Sequence, residues 1–137
     1  MKTPMQHSMH AAMTTRTALP FVAAASALIL LATPASADPV WRVVGGNAQR
    51  GPALIEAYGC AACHTVPGIR NANGNVGPPL TRFGDRTYIA GVLRNTPENL
   101  IRWIRAPQSV VPGNAMPNMG ITDAQARDIA AYLYTLR

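Results

Sequence analysis

Apolar side chains recur every three to four positions from Leu100 to Ile104 and again from Ile129 to Leu136, and no such rhythm survives between them. In the later run Ile129, Leu133 and Leu136 stand at i, i+4 and i+7. Thr122 and Gln125 have the spacing of a capping box, and Asp123 falls in the first turn, so a helix is predicted to start just after Thr122. Upstream, Thr96-Pro97 sets an N-cap before a proline suited to the first helical position. That helix carries Leu100, Ile101, Trp103 and Ile104, has Glu98 and Arg102 four apart in the favourable order, and is stopped by Pro107. Another helix carries Leu54, Ile55 and Tyr58; either Asn47 or Gly51 could cap it, with Pro52 near its beginning. A shorter helical turn is expected near Tyr88 to Leu93. The alternating β-branched runs of a sheet protein are absent, so the fold class is all-α, with three to four helices.

Two stretches break the pattern. Residues 67–80 hold three glycines, three asparagines and two adjacent prolines, and read as surface loop. "VVPGNAMPNMGIT", residues 110–122, is dense enough in proline, glycine and asparagine to forbid a helix. No internal repeat or low-complexity tract is present. Val40 to Asn47, with Trp41, is a short extension whose role the sequence does not reveal.

The start of the chain is different in kind. An apolar run from Phe21 to Ala32 is followed by "TPASAD", with Ala35 and Ala37 in the small-x-small pattern of signal cleavage. The run falls short of the roughly twenty residues a membrane-spanning helix needs. Residues 1–37 are read as a signal peptide and 38–137 as one domain, periplasmic or otherwise exported; the alternative is an uncleaved N-terminal anchor. In the domain, ten arginines and no lysine face six acids, for a net charge of +4. No dense basic stripe is present, so nucleic acid is not expected as a partner. The excess suits an acidic protein patch, where it would mainly speed association.

Export places the chain's only two cysteines, Cys60 and Cys63, in an oxidising compartment. Zinc typically takes four Cys or His ligands, and past residue 37 only Cys60, Cys63 and His64 are of those types. A thioredoxin-like pair belongs beside a βαβ pattern, and a disulfide across two residues closes a loop too small to stabilise much. Neither uses His64. The run "CAACH" has the C-x-x-C-H form of covalent haem attachment, in which two thiols add across the haem vinyl groups and the histidine ligates iron. A low-spin carrier needs a second axial ligand, commonly a methionine thioether. Past the leader only Met116 and Met119 remain, both in the breaker-rich loop. The alternative is that they fill core space.

With "CAACH", "VGPPL", "PGNAMPNMG" and "DIAAYLYTL" in this order and approximate spacing, the chain resembles class I cytochromes c from roughly Gly45 to Arg137. The resemblance implies a small all-α fold wrapped around one covalently bound haem c. It selects Met116 as the sixth ligand and places Met119 beside the haem edge. It implies that the Pro78 carbonyl accepts a hydrogen bond from His64. Pro79 stands where many relatives carry a polar residue. Trp103 falls where the family often packs an aromatic over the methionine side, and an ordinary core tryptophan is the alternative. Tyr88 or one of the arginines is left to bond a haem propionate. Small residues, Gly51 and Ala130 or Ala131, would let the first and last helices cross closely.

The expected function is that of an exported monohaem carrier passing single electrons between respiratory partners. No nucleophile, general acid or general base is identified, since His64 is used by iron. Asp85, Glu98, Asp123 and Asp128 read as caps and surface charges, and no small-molecule substrate is expected. Two alternatives stand: a haem-based ligand sensor with a labile Met116, and a dedicated electron-transfer subunit of a membrane oxidase or dehydrogenase. Arg82, Arg86, Arg94, Arg102 and Arg105 could frame the docking surface. The intact mass of the exported protein is expected to match a chain starting at Asp38 with one haem attached; a colourless product of that mass less haem would overturn the reading of the cysteines.

Overall fold

In the computed structural model, which describes residues 41–137, the capping box at Thr122 is complete and opens α4 (Asp123–Leu133). The Thr122 N–H donates to Gln125 Oε1 at 3.0 Å, and the Gln125 N–H donates to Thr122 Oγ1 at 3.4 Å. The leader expected over residues 1–37, and with it the boundary at Asp38, lies outside the described residues. Before α4 come α1 (Gly51–Ala57), 3₁₀ turns at Cys60–Ala62 and Phe83–Asp85, strands β1 (Tyr88–Ile89) and β2 (Leu93–Arg94), then α2 (Pro97–Arg105) and α3 (Pro107–Val110). Among the described residues the fold is thus mostly helical, as expected, with one small hairpin.

Thr96 caps α2 by accepting from the Asn99 N–H at 3.3 Å. Pro107 does end α2, but it also begins α3, after a break at Ala106 (φ −148°, ψ 64°). Both α1 and α2 pack on α4. Their shared core is built from Ile55, Leu100, Ile101, Ile104, Ile129 and Leu133, each no more than 6% exposed. Full burial of such a side chain stabilises by about 1.5–3 kcal/mol, so this seam outweighs any single polar contact. The Glu98–Arg102 ion pair expected along α2 is not formed among the described residues, in keeping with the small gain for two exposed charges.

Three local expectations are corrected. The N-cap of α1 is Arg50 rather than Asn47 or Gly51, and no side chain caps it. Asn47 instead folds onto the chain, accepting from the Gln49 N–H at 2.9 Å. The close approach of α1 to α4 does occur at Gly51, but over the Asp128 carbonyl and the Tyr132 Cβ rather than over Ala130 or Ala131; a Cβ there would stand 2.9 Å from the Asp128 carbonyl oxygen. Tyr88 to Leu93 is a hairpin, not a helical turn, with Ile89 opposite Leu93. In the three-residue connection 90–92, Ala90 and Gly91 both have positive φ, 48° and 76°, and the Val92 N–H closes onto the Ile89 carbonyl at 3.0 Å, a tight turn that excludes a helix.

Asp128 is not a surface charge. It is 4% exposed and accepts from the Asn47 N–H at 2.7 Å, from Arg50 Nε at 2.7 Å and from Arg50 Nη2 at 3.1 Å. These bonds tie the approach to α1 onto α4. The unassigned extension belongs to the same contact: Val43 is buried, Arg127 donates to the Val44 carbonyl at 3.1 Å, and the Arg137 guanidinium lies 4.3 Å from the Trp41 ring centroid. Hydrogen bonding from Arg50 holds the Asp128 carboxyl below its ordinary 3.8. A lowered folded value means stability that is complete above the unfolded value and is lost as pH falls through the folded one. Asp128→Ala is therefore expected to cost about 1.5–3 kcal/mol at neutral pH, measured by denaturant unfolding, with the gap from the parent narrowing as pH falls below the carboxyl's ordinary value and through its lowered folded one.

Candidate functional site

Helix α1 ends against Gly59, whose φ of +66° turns the chain into the 3₁₀ turn that carries Cys60. No heavy atom within 4 Å would meet a Cβ on Gly59, so the glycine answers to the backbone angle alone. The His64 N–H then closes onto the Cys60 carbonyl at 2.9 Å, gathering Cys60, Cys63 and His64 at one corner. Both cysteines are half-buried and form no disulfide with each other, and burial pushes the Cys60 thiol upward from its ordinary value.

The loop at 67–80 is not slack. It runs back along the cysteine turn, with the Gly74 N–H on the Ala61 carbonyl at 3.3 Å, Gly77 on Cys63 at 2.8 Å and Leu80 on Thr65 at 2.7 Å. Two glycines make this approach possible. A Cβ on Gly74 would lie 2.6 Å from the Ala62 carbonyl, and one on Gly77 would lie 2.7 Å from His64 Nδ1. His64 Nδ1 itself sits 2.7 Å from the Pro78 carbonyl oxygen. A carbonyl can only accept, so Nδ1 donates, and in the neutral ring the lone pair on Nε2 is then available to a metal.

His64 lines a cavity of about 750 Å³ between α1, α2 and α4. Cys60, Cys63, Pro78, Trp103, Met116 and Met119 line it too. Met116 is half-buried, and Met119 is 37% exposed. Most of the remaining wall is aliphatic, from Ile55, Leu100, Ile104, Ile129 and Leu133 among others. Arg86 is the one permanently charged side chain among the lining residues. It donates to the Pro79 carbonyl and, at 3.2 Å, to the Thr81 carbonyl, and its guanidinium lies 5.4 Å from the Phe83 ring centroid.

Tyr88 is not brought to this cavity. The hairpin alternation turns Ile89 inward at 3% exposed and leaves Tyr88 49% exposed, with Arg94 over its ring. Of the named candidates for an anionic cofactor edge, Arg86 is the one in the wall. Among the other arginines, Arg82 pairs with Asp85 at 3.0 Å and Arg105 with Asp123 at 3.2 Å, while Arg94 and Arg102 are exposed. Sequence reading missed Gly77 as the seat of the imidazole, although it stands inside "VGPPL". It also missed Gln108, whose bonds to the methionine loop follow from no local pattern.

A wide, mainly apolar cavity with two thiols, an imidazole with a free lone pair, two thioethers and one guanidinium at its wall fits a large apolar ring with iron at its centre and an anionic edge. The Cytochrome c family model matches residues 48–137, and the chain belongs to that family. Cytochrome c oxidase subunit 2 of Alkalihalophilus pseudofirmus is 43% identical over 93 residues, which is 66% of this chain and 26% of that protein. Cytochrome c oxidase subunit 2 of Bacillus sp. (strain PS3) is 37% identical over 108 residues, 76% of this chain and 28% of that protein. Cytochrome c2 of Rhodopila globiformis is 35% identical over 92 residues, 57% of this chain and 83% of that protein. The chain spans about a quarter of the length of the oxidase subunits it matches.

The bound group is haem c, joined covalently in this family, with Cys60 and Cys63 present for the two thioethers. When bound it supplies a one-electron ferrous/ferric couple. The chain's part is to seat the imidazole, cover the ring with aliphatic walls and exclude water. Because the ring of His64 lies flush on Gly77, Gly77→Ala is expected to destabilise the loaded protein by about 1–3 kcal/mol and to shift its reduction potential. Thermal unfolding and redox titration read the two effects; an unchanged potential would mean the imidazole is not held by this contact.

Proposed function

We propose that the protein is an exported carrier of single electrons, with haem iron held between His64 and Met116 and a respiratory oxidase as its redox partner. What supports the ligation is one observation above others: His64 and Met116 line the same cavity, and the Pro78 carbonyl accepts from Nδ1 of His64, turning the other ring nitrogen over to a metal. Met116 is favoured over Met119 because it is the more buried and its backbone is bonded on both sides, N–H to Asn114 Oδ1 and carbonyl to Gln108 Nε2, each at 2.8 Å. A thioether ligand and a buried ring both raise the potential.

The oxidase as partner is favoured by the relatives named as its subunit 2, whose matches cover 66% and 76% of this chain. Docking would use positive charge: Arg94 and Arg102 are exposed, and the described residues carry the whole arginine excess of the domain. An acidic patch on the partner would be steered to them, with an association rate that falls as salt rises. Permanent attachment as an oxidase subunit is the second reading, resting on the same relatives. Export rests on residues 1–37 and the cleavage pattern at Ala37.

A carrier keeps both axial bonds in each oxidation state, whereas a sensor gives one up to a diatomic ligand. Carbon monoxide is expected not to bind the ferrous parent protein or Met119→Ala, and to bind Met116→Ala stoichiometrically, read by absorbance. Rapid binding to the parent would favour the sensor. Binding to Met119→Ala but not Met116→Ala would transfer the ligand role to Met119.

A further inference from the structure

We propose that Gln108, which does not line the cavity, is the positioning residue that holds the Met116 thioether in place. The inference rests on the reading of Met116 as an iron ligand and adds to it the device that stiffens the loop. Gln108 stands on α3, whose first residue, Pro107, is among the most completely buried side chains in the domain. Its amide is used in full. Nε2 donates to the Asn114 carbonyl and to the Met116 carbonyl, both at 2.8 Å, and Oε1 accepts from the Gly113 N–H at 3.0 Å.

These bonds matter because the loop has almost no others of its own. Among the described residues, a single backbone-to-backbone hydrogen bond joins two members of 111–121, from the Asn114 N–H to the Val111 carbonyl at 3.3 Å. The remaining internal ties are side-chain ones: Asn114 Nδ2 to the Val111 carbonyl at 2.6 Å and the Met116 N–H to Asn114 Oδ1 at 2.8 Å. Gly113 and Gly120, at φ +78° and +70°, let the chain turn at either side of Met116. A loop without a ladder keeps a fixed shape only through such side-chain bonds. Gln108 carries that shape from a buried proline on α3 to the peptide unit of Met116 itself.

The test is displacement of the thioether from the ferric protein by added imidazole, followed in time by absorbance, in the haem-loaded parent and in Gln108→Leu and Gln108→Glu. Leu removes all three bonds. Glu keeps an acceptor for Gly113 but sets a carboxylate against two carbonyls. Both variants are expected to speed displacement by about tenfold or more. If only one variant folds, that one decides. Asp128→Ala loosens the α1–α4 contact without touching this loop and is expected to stay within about twofold of the parent in displacement rate. Equal acceleration in Asp128→Ala would reduce the Gln108 effect to general destabilisation and overturn the proposal. Unchanged rates in the folded Gln108 variants would overturn it as well. Failure of the ligand reading is recognised separately, since Met116→Ala would then leave the imidazole kinetics of the parent unaltered.

Discussion

A hollow at the centre of a small domain is the constraint on which the rest of this structure depends. The cavity of about 750 Å³ is bounded by the same aliphatic side chains that form the seam between α1, α2 and α4. An interior cavity of about 150 Å³ left by shrinking one core side chain already costs up to about 5 kcal/mol. That is a third or more of the 5–15 kcal/mol by which a whole domain is stable. The hollow here is five times larger and mostly aliphatic, so bound haem c belongs to the core as much as any leucine does. Covalent attachment through Cys60 and Cys63 then keeps that core element from leaving.

Backbone contacts, rather than side-chain contacts, shape the histidine side of the hollow. The 67–80 segment lies against the cysteine turn at distances that two glycines alone permit, and its Pro78 carbonyl selects the tautomer of His64. The methionine loop is arranged in the opposite way, with side-chain amides from Gln108 and Asn114 standing in for a backbone ladder. A rigid seat for His64 and a side-chain-tethered arm carrying Met116 follow from these two constructions.

Much of this was legible in the sequence where one physical rule acts locally. The capping box at Thr122 and the Thr96-Pro97 start of α2 are both present, because cap chemistry depends on residues three or four apart. The C-x-x-C-H run is equally local. Where two rules competed, reading failed. Ala90-Gly91 carries no strong turn signal, since alanine seldom takes positive φ, and the hairpin was hidden. Asp128 looked like any polar residue on an outer helix face, because its partners Asn47 and Arg50 lie about eighty positions away. Gln108 was silent for a related reason: its partners sit in a loop whose shape no periodicity describes.

The contact of Gly51 with Asp128 and Tyr132 joins the two ends of the described domain. Tyr58 reinforces it, donating to the Gln125 Oε1 of the capping box at 2.8 Å. Pairings of such long sequence separation raise contact order and delay native assembly. During synthesis, which proceeds from the N-terminus, Cys60 and Cys63 therefore emerge while the helix that will back α1 does not yet exist. The pairing of α1 with α4, and with it the closing of the walls around the cysteine turn, must wait until residues 123–133 have been made.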